Sequence, residues 1–259
     1  MKICVLIKQV PDAGSVLRIR DDESWVEEDK LVFTANESDS YALEEALLLK
    51  EAHEGEVIAC TLGPERSRQV LKDALSKGAD RAIFLHDDSF NNLDCNGLAK
   101  VFAKVLEKER CDLILCGLQA DDTGEAAVGP MLAQELHLPH VTMVVQTELL
   151  DGGLKVKQEL EGGWFRQVET SLPALLTIQS GINKPRYASL RGIMAMKKKE
   201  LRELSATELD IPATELAPMQ TLQRIYVPAK TKETVYLEGA PEEVVAQLVD
   251  KLANEAKVL

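Results

Sequence analysis

Small and acidic residues gather in one segment of the chain, at the end of a predicted buried strand. The segment reads Gly117-Leu118-Gln119-Ala120-Asp121-Asp122-Thr123-Gly124 and precedes a predicted helix. Glycine and alanine let backbone N–H groups approach a ligand, and a helix N-terminus carries a partial positive charge, so such a segment binds phosphate without a lysine. Asp121 or Asp122 would cap the helix or accept hydrogen bonds from ribose hydroxyls. The pattern predicts a nucleotide site or, alternatively, a plain strand-to-helix connection in which the aspartates only cap.

Several further residues are open to more than one interpretation. Asn36 precedes a predicted helix, where asparagine serves as a turn or capping residue, but its amide is also suited to recognise an adenine edge or a ribose. Lys8 ends the first strand and is either a solvated rim residue or a counter-charge for phosphate. The run Lys197-Lys198-Lys199 is either a solvated helix face or a docking patch for an acidic partner. Trp25 and Trp164 are expected to be packing residues.

The charge balance and the missing motifs exclude several classes of function. The 259 residues include 30 basic and 43 acidic side chains, and the net charge of −13 disfavours binding to nucleic acid or to an anionic membrane. No apolar run reaches the roughly 18–20 residues that a membrane span needs. The sequence has no nucleophile elbow, Walker A motif, Gly-x-Gly-x-x-Gly or His-Glu-x-x-His, which weighs against an ordinary hydrolase, kinase or dehydrogenase.

Cysteine and histidine usage indicates a reducing compartment and no structural metal. The five cysteines show no Cys-x-x-Cys spacing, and four of them lie in or beside apolar runs, where a thiol behaves as a small hydrophobe. The first apolar run is too short for a secretory signal peptide. We therefore expect free cysteines and a cytoplasmic protein. The four histidines show no spacing that places two ligands on one helix face.

The elements that must position these residues alternate between short apolar strands and amphipathic helices. Strands are predicted at Lys2–Lys8, Val57–Leu62, Arg81–Leu85, Asp112–Gly117 and His140–Thr147. Helices are predicted at Ser40–Glu54, Glu65–Lys77, Asp94–Glu109 and Gly124–Leu136. Strands that are apolar throughout are covered on both faces, so the pattern indicates an α/β fold with a doubly wound, mostly parallel sheet. Ligands of such sheets bind beyond the carboxyl ends of the strands, where the strand order reverses.

The pattern changes in the second half of the chain. Alternating residues at Leu154–Glu159 and Trp164–Thr170 predict a hairpin, and Ala174–Gln179 predicts a further buried strand added to the sheet. A basic, helix-capable segment, Met194–Leu204, completes a nucleotide-binding domain of residues 1–204. Residues 205–259 are predicted to form an extended arm that ends in the helix Pro241–Ala256. One helix cannot bury its own apolar stripe, so it must dock on another surface.

Several motifs together resemble the β subunits of electron-transfer flavoproteins. The main motif is Asn183-Lys184-Pro185-Arg186-Tyr187-Ala188-Ser189-Leu190-Arg191-Gly192-Ile193-Met194-Ala195-Met196-Lys197-Lys198-Lys199, preceded by Glu161-Gly162-Gly163 and Leu172-Pro173-Ala174-Leu175-Leu176-Thr177. The others are Val5-Leu6-Ile7-Lys8-Gln9-Val10-Pro11-Asp12, Tyr41-Ala42-Leu43-Glu44-Glu45-Ala46, Leu62-Gly63-Pro64, Gly78-Ala79-Asp80-Arg81-Ala82, Gln119-Ala120 and Val128-Gly129-Pro130. The resemblance extends over nearly the whole chain, and the combination of motifs is highly specific.

This resemblance implies an electron-carrier subunit rather than an enzyme. The β subunit pairs with an α subunit, and the heterodimer carries electrons from flavin dehydrogenases, such as acyl-CoA dehydrogenases, to an acceptor such as a quinone reductase. The redox-active FAD lies mainly on the α subunit, near the subunit boundary. The β chain would supply a nucleotide-binding core and an arm that wraps onto the α subunit, with no membrane insertion and no nucleic acid.

The resemblance also assigns three sets of residues. It implies that the nucleotide pocket is lined by Leu6, Lys8, Asn36, Leu62, Gln119, Ala120, Asp122, Gly124, Glu125, Ala126, Ala127 and Val128. It implies that partner dehydrogenases are recognised by Tyr187, Ala188, Ser189, Leu190, Arg191, Gly192, Ile193 and Met194, with Leu190 as the exposed anchor. Glu159 resembles a family acid that holds the flavin domain in one orientation.

The resemblance leaves two nucleotides open for the β pocket, AMP and a second FAD. AMP-binding members carry Asn-Gln-Thr where this chain has Ala126-Ala127-Val128. Electron-bifurcating members, which hold the second FAD and take electrons from NADH, have a segment like Val128-Gly129-Pro130, but they show Asp-Gly-Asp-Thr where this chain reads Asp122-Thr123-Gly124-Glu125. We expect AMP, because a second working flavin needs more support than one tripeptide. Glu125 near a phosphate is unfavourable unless its carboxylate points away.

Two other classes of protein are alternatives. A standalone nucleotide-binding or sensor domain of the related adenine-nucleotide α-hydrolase-like fold predicts a stable monomer or homodimer and leaves Tyr187–Lys199 without a role. A flavin enzyme requires its own acid–base residues, and the sequence shows no constellation of them.

Overall fold

The protein is built around a nine-stranded sheet. The order of the strands in the sheet differs from their order along the chain, and the direction of the order reverses beside the first strand. The computed structural model describes residues 1–232 and 234–259. From one edge to the other, the strands are β11 (Leu201–Leu204), β5 (Arg81–Leu85), β4 (Glu56–Leu62), β1 (Lys2–Leu6), β6 (Leu113–Gly117), β10 (Ala174–Ile178), β7 (His140–Leu150), β8 (Gly153–Glu159) and β9 (Phe165–Ser171). Pairing is parallel from β11 to β7 and antiparallel from β7 through β9.

Helices cover both faces of this sheet. The helices of the chain are α1 (Glu37–His53), α2 (Arg68–Lys77), α3 (Cys95–Glu109), α4 (Val128–Glu135), α5 (Leu190–Met196), α6 (Ala206–Leu209) and α7 (Pro241–Asp250), of which α7 buries no residue. The buried apolar side chains of α1 and α2 form the core on one face, and those of α3, α4 and α6 form the core on the other. Because both faces are covered, β6 and β10 are buried along their whole length. The predicted doubly wound α/β fold is confirmed.

Local sequence signals set the ends of the helices. Asp94 is the N-cap of α3, and its carboxylate accepts a hydrogen bond from the backbone N–H of Gly97 at 2.8 Å. Helix α2 follows a 3₁₀ turn at Glu65–Ser67 and ends at Gly78, whose φ of 136° favours glycine. Both helices therefore lie where the sequence predicts them, to within three residues at either end.

Two predicted helices are wrong in part. The helix predicted at Gly124–Leu136 begins only at Val128, because the preceding segment turns and Ala126 has a φ of 52°. The helix-capable segment Met194–Leu204 divides into the end of α5 and the edge strand β11. Residues Leu201–Leu204 form a strand because they pair with β5 and bury Leu204. These tertiary contacts outweigh the helix propensity of the four residues.

The predicted hairpin is confirmed as β8 and β9, and the buried strand that follows it as β10. The strand lies inside the sheet, between β6 and β7, rather than beyond the hairpin. The structure also contains a small antiparallel ribbon, β2 (Gln9–Pro11) with β3 (Phe33–Ala35), that the sequence did not predict. Strands of three residues carry too few alternating positions to be recognised from a pattern.

The described C-terminal residues end in a helix that follows a stretch without regular secondary structure. The described residues from Ala217 to Ala240 form neither helix nor strand. Helix α7 continues into a π-helical turn, Lys251–Glu255, and exposes Val245, Leu248 and Val249. No helix among the described residues has both the length and the apolar character that crossing a membrane requires. Docking of residues 205–259 on another subunit stays a prediction.

We expect Gly117→Ala to destabilise the protein, because the new methyl carbon would lie 2.1 Å from Ser38 Oγ and 2.5 Å from Asp39 Oδ1. The start of α1 would have to move away from β6, which lowers the free energy of unfolding by about 1–3 kcal/mol. Chemical denaturation measures this loss. The matched control is Gly14→Ala, whose methyl carbon would lie 3.1 Å from Asp12 Oδ1. Equal stability of the two variants would contradict the close approach of α1 to β6.

Candidate functional site

A cavity opens where the order of the strands reverses. The chain passes from β1 to β4 and β5 on one side of β1, and then returns to β6 on the other side. The cavity has a volume of about 190 Å³ and lies beyond the carboxyl ends of β1, β4 and β6. This is the position at which doubly wound sheets bind ligands. The side chains around it decide what kind of ligand fits.

Asp39 joins the two strands on either side of the reversal. Its buried carboxylate accepts hydrogen bonds from the backbone N–H groups of Lys8, at 2.8 Å, and Gly117, at 2.7 Å. Burial raises the pKa of Asp39 from 3.8 to about 6, although these donors act in the opposite direction. The carboxylate thus fixes the spacing between the ends of β1 and β6.

Asn36 holds the loop that follows β6 against the start of α1. Its Nδ2 donates to Ser38 Oγ at 3.1 Å and to the carbonyl of Gln119 at 2.8 Å, and its Oδ1 accepts from the N–H of Asp121 at 2.9 Å. Both amide N–H donors are in use, and the side chain does not cap α1, although Asn36 is its N-cap residue. Recognition of a nucleotide by Asn36 stays a prediction. Asn36 acts as a tie between two segments that border the cavity.

Lys8 forms an ion pair within the same rim. Its Nζ lies 2.6 Å from Oδ1 of Asp122, whose side chain is largely buried. The pair connects the end of β1 to the loop after β6, so Lys8 is more than a solvated rim residue. Because the two charges compensate each other, the pair leaves little positive charge for a phosphate. Any anion in this cavity would depend mainly on backbone N–H groups.

Three consecutive N–H groups provide such donors. Ala126 has a φ of 52°, and Ala127 has right-handed helical angles, φ −105° and ψ −28°, just before α4 begins at Val128. A left-handed residue followed by a right-handed one directs successive N–H groups to the same side and creates an anion-binding concavity. In the described parts of the chain, these three N–H groups donate to no protein acceptor. The N-terminus of α4 adds its partial positive charge.

The carboxylate of Glu125 is engaged by a different element. Its Oε2 accepts a hydrogen bond from the thiol of Cys95 at 3.0 Å, and Cys95 is the first residue of α3. Negative charge is favourable at a helix N-terminus. Burial, together with the neighbouring Glu125, raises the pKa of the Cys95 thiol to about 12. The charge of Glu125 is therefore held by α3 and not by the N–H groups that follow it in the chain.

Most of the residues that the sequence assigned to the nucleotide site border this cavity. They are Leu6, Lys8, Asn36, Leu62, Gln119, Ala120, Glu125, Ala126, Ala127 and Val128. Asp122 contributes through its ion pair with Lys8, and Gly124 is not among the lining residues. Sequence reasoning missed Asp39, which resembles an ordinary first-turn acid, and Phe102, whose spacing shows only that it faces the core. Nucleotide binding by these residues stays a prediction.

The predicted recognition residues lie on another surface, against α1 and α2. Ser189 caps α5 by accepting a hydrogen bond from the N–H of Gly192 at 3.0 Å. Tyr187, Leu190 and Met194 are 94%, 84% and 73% exposed. Grouped apolar side chains at this exposure are typical of interaction surfaces. Recognition of a partner by this segment stays a prediction.

Glu159 ends β8 and borders an open groove beside the hairpin. Its Oε2 accepts a hydrogen bond from Gln179 Nε2 at 3.1 Å. Trp164, which borders the same groove, is 75% exposed, so the expectation that it packs within this chain is wrong. Trp164 follows the 3₁₀ turn Glu161–Gly163, which connects β8 to β9. Trp25 is partly buried.

The lysine run lies beyond α5 and not on a helix face. Lys199 Nζ donates to the backbone carbonyls of Leu75 and Ala79 at the C-terminal end of α2, at 2.9 and 2.5 Å. Lys197 and Lys198 are exposed. One lysine of the run is therefore structural, and the other two remain available to solvent.

A cluster of potential metal ligands is explained by charge pairing. Ligand atoms of Glu65, His86 and Glu203 lie within 4.8 Å of one another. The guanidinium of Arg68 donates to Glu65 at 2.6 Å and to Glu203 at 2.7 Å, so both carboxylates already share a cationic partner from this chain. All five cysteines are free and buried, as expected.

The fold and the cavity define a class, a doubly wound α/β protein with a ligand cavity at its switch point. Residues 24–209 match the family model described as the electron transfer flavoprotein domain. The chain is 36% identical to the electron transfer flavoprotein subunit beta of Methylophilus methylotrophus, with 99% of each chain covered. It is 34% identical to that of Bacillus subtilis, with 100% of each chain covered. The chain belongs to the electron transfer flavoprotein family and matches its β subunits along its whole length.

The raised pKa of Asp39 predicts a pH dependence of stability. Because its folded-state pKa of about 6 exceeds the ordinary 3.8, the folded protein binds this proton more tightly than the unfolded chain does. The resulting stabilisation is present below about pH 4 and is lost as the pH rises through about 6. We expect the free energy of unfolding of the wild type to fall, relative to Asp39→Asn, over this range in chemical denaturation. A difference that does not change with pH would contradict the prediction.

Proposed function

We propose that this chain is the β subunit of a heterodimeric electron carrier, in which an α subunit holds the redox-active FAD. Its full-length similarity to β subunits supports the proposal, as does the exposed apolar stripe of α7. The carrier takes electrons from flavin dehydrogenases, such as acyl-CoA dehydrogenases, and passes them to an acceptor such as a quinone reductase. Five free, buried cysteines suit a reducing compartment, the cytoplasm.

We further propose that the cavity at the switch point holds AMP. The observation that carries this proposal is that an apolar lining and the three N–H groups of residues 126–128 border one cavity, a combination that suits one base and one phosphate. The apolar side chains of Leu6, Leu62 and Phe102 suit a flat base, and the N–H groups of residues 126–128 suit the phosphate. AMP in this position has no redox role.

A second FAD in the same cavity is the alternative, and it would make the carrier an electron-bifurcating one with NADH as donor. The only feature favouring it is the Val128-Gly129-Pro130 segment. A methyl group on Gly129 would lie 2.7 Å from Thr177 Cγ2, so packing of α4 on the sheet accounts for this glycine without a second flavin. Nucleotide analysis of the heterodimer distinguishes the two.

We expect the purified heterodimer to release one FAD and one AMP on denaturation, as measured by chromatography of the nucleotides. Asn36→Ala loosens the loop that borders the cavity, so we expect it to lower the AMP content while leaving the FAD content unchanged. The matched control is Asn91→Ala, at an exposed asparagine, which should retain both. Two FAD molecules and no AMP per heterodimer would overturn the AMP proposal in favour of the bifurcating alternative. A β subunit without any nucleotide would contradict both proposals.

For partner recognition, we expect Leu190→Ala to slow electron transfer from the dehydrogenase to the heterodimer. A buried leucine in an interface contributes roughly 1.5–3 kcal/mol, so the KM for the carrier should rise at least about tenfold. The flavin content should stay the same, because Leu190 is exposed and lies away from the cavity. Unchanged kinetics would remove Leu190 from this role.

A further inference from the structure

The short helix α5 exposes Leu190, Ile193 and Met194, and its main apolar contact with the rest of the chain is Met196, which packs partly buried against the core. It spans seven residues, Leu190–Met196, and none of them is buried. A helix of this length is not stable in water without outside support. Its conformation is therefore supported by contacts with α1 and α2, from residues on either side of the helix and from Gly192 and Met196 within it.

On the N-terminal side, Arg186 is held by two glutamates of α1. Its Nε and Nη2 donate to the carboxylate of Glu44 at 2.9 Å, and the backbone N–H of Arg186 donates to Glu44 at 3.0 Å. Its Nη2 also donates to Glu51 Oε2 at 3.1 Å, and Nη1 donates to Oε1 at 2.5 Å. One edge of the planar guanidinium thus binds the carboxylate of Glu44 and another edge binds that of Glu51. A lysine ammonium cannot form this pair of bidentate contacts.

The burial of Glu44 makes this contact specific. Its side chain is 6% exposed, against 55% for Glu51, so Glu44 depends on Arg186 to compensate its charge. Asn183 adds a second contact to the same helix, because its Nδ2 donates to Glu45 Oε2 at 2.9 Å and to the carbonyl of Tyr41 at 3.1 Å. The chain is therefore fixed to α1 immediately before the exposed Tyr187.

On the C-terminal side, α2 provides the support. Lys199 donates to two carbonyls at the end of α2, where a cation is favourable. Between the two anchors, Gly192 touches α2 directly, because a methyl group added there would lie 2.1 Å from the carbonyl oxygen of Ser76. Residues 187–196 are therefore held at both ends, and in the middle Gly192 contacts the backbone of α2.

We propose that Arg186, clamped by Glu44 and Glu51, is a positioning residue that preorganises residues 187–196 for a dehydrogenase partner. The inference rests on the proposed recognition function of this segment. A segment that is already ordered does not lose conformational freedom when the partner docks, so more of the contact energy appears as affinity. Arg186 does not need to touch the partner to have this effect.

The test uses the complete α/β heterodimer with Arg186→Lys, which keeps the positive charge and loses the two-edged contact. Hydrogen–deuterium exchange of residues 187–196 should become about tenfold faster, because the segment opens more often. The KM for the carrier in electron transfer from the dehydrogenase should rise about five- to tenfold, with kcat and flavin content unchanged. Arg202→Lys, the same exchange at an exposed arginine of β11, is the matched control and should change none of these quantities.

The outcomes separate this inference from the recognition function. If Arg186→Lys leaves the exchange of residues 187–196 at the wild-type rate, or speeds it without changing KM while Leu190→Ala raises KM, the positioning role is overturned. If exchange accelerates but neither variant alters KM, the recognition function fails and the clamp remains a purely structural contact. Leu190→Ala should raise KM without accelerating exchange, since it removes a contact side chain and leaves both anchors in place.

Discussion

The architecture depends on one buried carboxylate at the point where the strand order reverses. The carboxylate of Asp39 accepts hydrogen bonds from the backbone N–H groups of Lys8 and Gly117, and so fixes the distance between the carboxyl ends of β1 and β6. The two strands are paired neighbours, but the helices that follow them, α1 and α4, lie on opposite faces of the sheet, and the crevice between the two connections is the cavity. Because the carboxylate belongs to α1, the helix, the two strands and the cavity floor form one unit. Gly117 has no side chain because α1 occupies the space a side chain would need.

The same helix supports the second surface of interest. Near its start, Asn36 and Asp39 border the cavity, and further along, Glu44 and Glu51 hold Arg186. Helix α1 spans 17 residues, and its apolar side packs on the sheet. Because one side of α1 is buried along most of its length, contacts at its two ends are connected through a single packed helix. The switch-point cavity and the exposed segment of residues 187–196 are therefore both attached to α1, even though no residue belongs to both.

The sequence predicted the fold class because its central strands are apolar throughout and alternate with amphipathic helices. It did not predict that β10 enters the centre of the sheet or that Leu201–Leu204 forms an edge strand, since strand order and edge pairing come from long-range contacts. The loop after β6 could be named because small residues follow a strand end, whereas other cavity residues, such as Leu6 and Leu62, were named through the resemblance to electron-transfer flavoprotein β subunits. The role of Asn36 could not, because its partners, Gln119 and Asp121, are more than 80 positions away along the chain. Charged contacts of α1, such as that of Glu44 with Arg186, could not be predicted either, because the two residues are far apart in the sequence.

The central claim is that this chain is one half of an electron carrier whose flavin depends on the other half. Sedimentation velocity with simultaneous detection of flavin absorbance tests it most directly, on the chain alone and mixed with its α subunit. The account predicts a 1:1 complex that carries the flavin and a β chain that sediments without flavin when it is alone. A β chain that binds stoichiometric flavin by itself, or that forms no complex with the α subunit, would contradict the account.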